Sequence, residues 1–168
     1  MPAGTDTYEI HKIKLGEAIL RSGGSIRLRV LGTSMLPSVW PGDVVSVEGH
    51  AVGAVVCGDI VLYEANDSFF VHRVVEKSRN KNQAQWITRG DAMPQSDPAV
   101  RECQLLGRVS SICRGSRIIT PARRLTPLTR AVGWVLCHSY FVRNLALRFH
   151  SFRIRRGLNP FVHFARYF

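Results

Sequence analysis

Short runs of β-branched and apolar residues, separated by turn residues, fill the chain from about residue 25 to residue 113. Such residues suit the half-buried surface of a β-strand, and several runs alternate apolar and polar side chains with the period of two that a strand requires. A Gly-Asp pair precedes two of the runs, at residues 42–43 and 58–59. The predicted strands are SIRLRVLG, VVSVEG, IVLYEA, SFFVHRVVEK, AQWITRG and LLGRVSSICRG. Short strands with this turn punctuation predict a mainly β fold, either a barrel or a sandwich.

The segments that flank the β region have helical patterns. Residues 7–21 place their apolar side chains mostly at helical spacing, which predicts a short N-terminal amphipathic helix. Between Leu128 and Arg156 the apolar residues are interrupted by arginines, which predicts a basic, imperfectly amphipathic helix. We therefore divide the chain into a helical segment 1–25, a β-rich unit 26–113 and a helical tail 114–168.

The positive charge of the chain is concentrated in this tail. The formal net charge is +11, all twelve acidic residues lie at or before Glu102, and residues 114–168 contain eleven arginines and no acidic residue. A segment that mixes arginines with aromatic side chains suits lipid head groups, nucleic acid phosphates or an acidic protein. We favour the surface of an anionic membrane, and packing of the helix on its own β-rich unit or on a partner stays open. Nucleic acid is not favoured as a partner because nothing in the chain resembles a recognition module.

The cysteines and the amino-terminal residues indicate the cellular compartment. Cys57, Cys103, Cys113 and Cys137 form no CxxC pair, so we expect reduced thiols, with Cys57 packed as a small apolar side chain. The first residues show no basic segment followed by an apolar one, so no secretory signal is predicted. No run reaches the ~18 consecutive apolar residues of a spanning helix. We therefore expect a cytoplasmic protein without a transmembrane anchor, at most peripheral at the membrane.

Four polar residues in the β region are candidates for catalysis. The segment LGTSMLPSVWPGD cannot continue as a strand or a helix because its two prolines fix φ and remove backbone donors, so Ser34 lies in a shaped loop. His72 lies within a predicted strand, and Asp91 and Asp97 lie in the loop RGDAMPQSDPA. A neutral imidazole can accept the proton of a serine hydroxyl, and a carboxylate can hold that imidazole in the required tautomer. Each residue also has an ordinary structural interpretation, as a turn serine, a strand histidine or a turn aspartate.

The order of these motifs resembles that of a known family. GTSMLPSVWPGD, GDIVLY, VHRVV and TRGD with a second Asp six residues on, over about residues 26–110, resemble the type I signal peptidases. The likeness is to the branch found in the endoplasmic reticulum, archaea and some Gram-positive bacteria. Bacterial-type signal peptidases and LexA-like self-cleaving repressors use a lysine as the base, whereas this chain has His72 at that position.

The resemblance implies a serine endopeptidase with a signal peptidase/LexA-like β-barrel, acting on a peptide or protein substrate in extended conformation without a cofactor or metal. It implies Ser34 as the nucleophile, His72 as the general base, Asp97 as its partner and Asp91 as a second carboxylate linked to activity. Imidazole suits this role, since the unperturbed pKa of histidine is about 6.5. Arg73 cannot serve as the base, because its guanidinium stays protonated, and it points to the opposite face of the strand.

The sequence also departs from the family pattern. The backbone amide of Ser34 is the candidate oxyanion donor, but relatives often have a hydroxyl where this chain has Gly32, which leaves the second donor open. Relatives often have asparagine where this chain has Ala92, and they have an N-terminal transmembrane helix that is not predicted here. Two alternatives therefore stay open: a self-cleaving LexA-like regulator, and a catalytically silent membrane-associated or assembly module with the same fold.

Overall fold

A computed structural model of the chain describes residues 4–49, 54–80, 83–139, 142, 144–148 and 166–167. Two helices and nine strands are present in these residues, together with a turn of 3-10 helix at Glu102–Gln104. The helices are α1 (Gly4–Arg21) and α2 (Pro127–His138). The strands are β1 (Ser25–Val30), β2 (Val44–Glu48), β3 (Ile60–Ala65), β4 (Ser68–Asn80), β5 (Gln83–Arg89), β6 (Val100–Arg101), β7 (Leu105–Arg114), β8 (Arg117–Ile119) and β9 (Arg166–Tyr167).

The strands form one sheet in the order β6-β5-β4-β3-β7-β2-β1-β9, with β8 paired to β7. Strands β1 to β8 pair antiparallel, and only the two-residue β9 pairs parallel, with β1. The predicted mainly β fold is confirmed. The predicted barrel is corrected, since no pairing in the described residues joins the β6 edge to the β1–β9 edge, and the sheet stays open.

Strand β7 connects the two halves of the sheet. Its first residues pair with β3, and the following residues pair with β2. At the change of partner, a Cβ on Gly107 would lie 2.4 Å from the carbonyl oxygen of Glu48, so only glycine allows β7 to approach β2 so closely.

The hydrophobic core also fixes the elements on either side of the sheet. Leu20 of α1 and Met35 and Val39 of the loop between β1 and β2 are buried in the main cluster. The other buried members of that cluster are Val45, Val47, Ile60, Leu62, Leu106, Val109 and Ile112. A second cluster lies towards β5 and contains Val55, Val61, Tyr63, Val74, Trp86, Val100 and Leu105. The predicted N-terminal helix is therefore confirmed, and it packs on the β-rich unit.

The two Gly-Asp pairs form the same turn. Gly42 and Gly58 have φ of 93° and 96°, in the left-handed region that favours glycine. The backbone N–H of Trp40 donates to Asp43 Oδ2 over 2.8 Å, and that of Val56 donates to Asp59 Oδ2 over 3.1 Å. Each turn thus buries one carboxylate in front of a strand.

Arginines from the C-terminal side of the sequence neutralise these two carboxylates. Arg114 Nη2 lies 2.7 Å from Asp43 Oδ2, and Arg123 Nε lies 2.7 Å from Asp59 Oδ1. Two of the arginines after residue 113 therefore form ion pairs with carboxylates of the β-rich unit.

The predicted continuous helix from Leu128 to Arg156 is wrong. Helix α2 ends at His138, Ser139 is extended (φ −115°, ψ 102°), and residues 144–148 are helical again. The predicted stretch 149–156 lies outside the described residues. The tail packs in part on the β-rich unit, because Leu136, Ala146 and Leu147 contact a cluster that contains Leu36 and Ala92.

The four cysteines are free thiols, and Cys57, which was predicted to pack as a small apolar side chain, is exposed. It occupies the turn that leads into β3, directly after the segment in which Val55 is buried, so its side chain lies outside the core. Within the described part of the chain, no group of three His, Cys, Asp or Glu side chains is placed to hold a metal ion. No described helix has both the length and the apolar character needed to cross a membrane.

Candidate active site

Ser34 is presented by a loop whose neighbours are anchored in the core. Met35 and Leu36 are 1% and 0% exposed, and Val39 is also buried. The Leu36-Pro37 peptide is cis, and the indole N–H of Trp40 donates to the Pro37 carbonyl over 2.8 Å. The side chains on the C-terminal side of Ser34 therefore fix the loop, while Ser34 itself stays partly exposed.

His72 lies on β4 and faces Ser34. Its side chain is buried within the sheet, where His72 pairs with Val61 of β3. His72 Nε2 is 2.9 Å from Ser34 Oγ, and His72 Nδ1 is 2.6 Å from Asp97 Oδ2. In the tautomer with a proton on Nδ1, the imidazole donates to Asp97 and accepts from the Ser34 hydroxyl. The structure thus joins the three side chains in one hydrogen-bonded chain.

Asp97 has a second hydrogen-bond donor. Thr88 of β5 donates its hydroxyl to Asp97 Oδ2 over 2.7 Å, and the Asp97 backbone N–H donates to the Thr88 carbonyl over 2.8 Å. Burial alone would raise the pKa of Asp97, but the hydrogen bonds from His72 and Thr88 outweigh it and hold the pKa below its ordinary value. Asp97 is therefore ionised wherever a neutral histidine could act as a base.

Tyr63 lies next to the imidazole of His72. Its hydroxyl lies 3.5 Å from His72 Nδ1, and its ring stacks on Phe70 with centroids 5.5 Å apart. Burial raises the pKa of Tyr63 well above its ordinary value, so the phenol stays neutral and is a hydrogen-bond donor to the carboxylate side of the site.

Asp91 does not contact His72. It forms a two-point ion pair with Arg73, with both N–O distances 2.8 Å, and the two side chains are 2% and 7% exposed. His72 and Arg73 alternate on β4 and point to opposite faces, as predicted. The residues alone left open which aspartate contacts the histidine, and the family resemblance implied Asp97; in the structure Asp97 is the aspartate that contacts His72.

Arg73 connects several segments around the nucleophile loop. Beyond Asp91, its guanidinium donates over 2.7 Å to the Gly58 and Ala122 carbonyls, and over 3.4 Å to the Ser38 hydroxyl. This side chain therefore ties β4 to a Gly-Asp turn, to the tail and to the loop that carries Ser34.

The loop after β5 lies directly against Ser34. The Ala92 backbone N–H donates to the Ser34 carbonyl over 2.8 Å. A Cβ on Gly90 would lie 2.6 Å from that carbonyl oxygen, so the two loops approach closely only because residue 90 is glycine. The Ser34 carbonyl therefore already accepts a hydrogen bond. The backbone N–H of Ser34 has no acceptor among the described residues, so it is available to donate to an oxyanion, as predicted for the candidate oxyanion donor.

The sequence prediction did not include Thr88 and Tyr63, and it did not give Arg73 its structural role. A signal for Thr88 was present, because it is a polar residue with the same strand parity as Trp86, which is buried. A bulge between Val74 and Glu76 shifts the pairing of β4 with β5, and Thr88 lies opposite Val74 just before it. Such bulges cannot be located by counting residues, so the contact with Asp97 was not predictable.

The depressed pKa of Asp97 predicts a pH-dependent contribution to stability. The carboxylate is favoured in the folded state, so its contribution is present above the unfolded-state pKa of about 3.9 and is lost as pH falls through the lower folded-state pKa. We expect the free energy of unfolding of Asp97→Asn to fall less steeply than that of the wild type as the pH drops from about 5 to about 3. Urea unfolding at several pH values measures this.

The control for this experiment is Asp67→Asn, which removes an exposed carboxyl from the turn between β3 and β4. Its unfolding free energy should follow the pH dependence of the wild type. Identical slopes for Asp97→Asn and the wild type would contradict the prediction.

Comparison with known families gives one match. The family model described as Peptidase S24-like matches residues 1–110, a range that contains Ser34, His72, Asp91 and Asp97. The comparison with curated proteins gives no match.

Proposed function

Because the chain belongs to the Peptidase S24-like family, we propose that it is a serine endopeptidase with Ser34 as nucleophile, His72 as general base and Asp97 as the carboxylate that orients the imidazole. One observation carries this proposal: the chain of two hydrogen bonds from Ser34 Oγ through the His72 ring to Asp97, 2.9 and 2.6 Å long. Both distances fall in the range that proton transfer requires.

The proposed mechanism is acyl transfer. His72 Nε2 accepts the Ser34 proton as Oγ attacks the scissile carbonyl, and Asp97 stabilises the imidazolium that forms. The Ser34 backbone N–H donates to the oxyanion of the tetrahedral intermediate. His72 then gives the proton to the leaving amine, and a water molecule activated by the same imidazole hydrolyses the acyl-enzyme. None of these steps uses a metal or a cofactor.

The finer proposal is that the chain is similar to the Ser-His branch of the type I signal peptidases. The histidine in place of a lysine base supports it, as does the pairing of that histidine with Asp97, the second aspartate of the loop RGDAMPQSDPA. An extended apolar peptide is the proposed substrate, since extended segments bind such β-rich sites along strand edges.

Labelling with a fluorophosphonate that reacts with activated serines tests the site. We expect the wild type to be labelled at Ser34, Ser34→Ala not to be labelled, and His72→Ala to be labelled far more slowly, because the hydroxyl loses its base. Ser38→Ala is the matched control, since Ser38 lies in the same loop; it should be labelled like the wild type. Equal labelling of wild type and Ser34→Ala, or none in either, would overturn the proposal, and the second result would favour a catalytically silent module.

A self-cleaving regulator is the second candidate, and the Peptidase S24-like match favours it. In that case the purified chain should shorten on incubation while Ser34→Ala stays intact. Intact-mass measurement over time separates the two candidates, because an endopeptidase acting on other proteins leaves its own mass unchanged.

A further inference from the structure

Helix α2 is apolar on two sides. On the inner side Gly133 and Leu136 are buried, and Leu136 packs with Leu36 and Ala92. On the outer side Leu128 and Trp134 are 74% and 64% exposed. Val132 and Val135 are also exposed, so the outer side presents apolar side chains at helical spacing. Several large exposed apolar side chains on one helix are a feature of surfaces that bind a partner or a membrane.

A basic cleft adjoins this exposed side. Its volume is about 850 Å³, and its wall includes Arg89, Arg124 and Arg130 together with Trp134. These three arginines are exposed, and their guanidinium groups form no ion pair with any described residue. The carboxylate on the wall, Asp91, is already neutralised by Arg73. The cleft therefore carries uncompensated positive charge beside exposed apolar side chains.

The positive charge of the cleft limits which molecules can bind to the cleft and to the exposed side of α2. The chain has no acidic residue after Glu102, so the rest of its own tail would bring further arginines to the cleft. A second copy, with a formal net charge of +11, would also be repelled. A nucleic acid would neutralise the arginines but leave Leu128 and its apolar neighbours in water.

We propose that the outer side of α2 and the adjoining arginine cleft form a docking surface for an anionic membrane. Lipid phosphates pair with Arg89, Arg124 and Arg130, while Leu128, Val132, Trp134 and Val135 enter the boundary between head groups and acyl chains. The inner side of α2 packs against Leu36, two residues after Ser34, so docking holds the nucleophile loop at a fixed distance from the lipid surface.

Flotation of the full chain with vesicles tests the surface. We expect the chain to float with vesicles of phosphatidylcholine and phosphatidylglycerol in equal parts, and to stay behind with phosphatidylcholine alone. The double variant Arg124→Gln/Arg130→Gln should bind about 25-fold more weakly, about fivefold for each arginine. The matched control, Arg27→Gln/Arg117→Gln, removes two exposed arginines of β1 and β8 outside the cleft and should change binding about twofold or less.

A second pair of variants tests the apolar side chains. Leu128→Ser should bind about tenfold more weakly, whereas Ile118→Ser should bind like the wild type, although Ile118 is 78% exposed on β8. Trp emission should shift to shorter wavelength with anionic vesicles. This shift should disappear in Trp134→Phe, because Trp86 is already buried and Trp40 packs on the Leu36 cluster with its indole N–H bonded to the Pro37 carbonyl. Far-UV circular dichroism of each variant checks that the fold is retained.

Several results would overturn the proposal. One is that the full chain does not float with the anionic vesicles. A second is equal weakening of vesicle binding in the cleft and control double variants, which would show that only net charge matters. A third is binding to duplex DNA or RNA without flotation. None of these readouts needs proteolysis, so failure of serine labelling leaves this test intact.

Discussion

Replacing His72 with alanine is expected to lower kcat/KM by ~10⁴- to 10⁶-fold for a peptide selected from a library by the wild-type enzyme. Without the imidazole, no group is within reach of Ser34 Oγ to accept its proton in the described structure. Steady-state kinetics of the purified variant measures the loss. His11→Ala is the control, because His11 is exposed on α1, and it should keep wild-type turnover.

Variants of the two loop aspartates, Asp91 and Asp97, should differ in kcat in the same assay. Asp97→Asn should cost ~10⁴-fold in kcat, since the amide no longer holds the tautomer in which Nε2 accepts the serine proton. Asp91→Asn should cost much less in kcat, since Asp91 bonds to Arg73 rather than to His72, and should appear mainly as lower stability. A larger kcat loss for Asp91→Asn than for Asp97→Asn would contradict the assignment of Asp97.

Replacing Arg73 with methionine is expected to lower the free energy of unfolding by ~3 to 5 kcal/mol. The change leaves Asp91, whose side chain is 2% exposed, without its counter-ion, and removes the donors to the Gly58 and Ala122 carbonyls. Urea unfolding monitored by circular dichroism measures the effect. The double variant Arg73→Met/Asp91→Leu should recover part of the loss, because the unpaired buried charge is gone.

Arg21→Met provides the comparison for an exposed pair. Arg21 pairs with Glu17 one turn away on α1, with both side chains accessible to water, and also donates to the Cys103 carbonyl at the surface. Its loss should cost about 1 kcal/mol. A loss for Arg73→Met no larger than that of Arg21→Met would show that the buried pair is dispensable.

The strands were predictable because their signals are local. Alternation in SIRLRV and the Gly-Asp pairs each act within a few residues, and the structure contains the corresponding strands and turns. The two-residue β6 was not predicted, because its pairing with β5 spans the loop between them. The short β8 follows β7 after a tight turn at Gly115, but its three residues are too few to show alternation. Closure of the sheet also depends on pairing between distant edges, which explains the error over the barrel.

Part of the site followed from the sequence as well. Alternation along β4 predicts that His72 and Arg73 face opposite sides of the strand. One aspartate can therefore contact His72 while the other contacts Arg73. Apart from the family resemblance, the sequence could not say which aspartate contacts which of the two side chains. The loop after β5 turns at Gly90, and the Asp97 backbone N–H then bonds to the Thr88 carbonyl, which local patterns do not show. The break of the tail helix at Ser139 has no glycine or proline to announce it.

The late position of Arg114, Ala122 and Arg123 in the chain has a consequence for biosynthesis. The ribosome releases Ser34, His72 and both loop aspartates before these residues, although Asp43, Asp59 and Arg73 bond to them in the folded state. Because synthesis proceeds from the amino terminus, a nascent chain holds two unneutralised acidic turns, and an Arg73 that lacks its Ala122 acceptor, until its last third emerges.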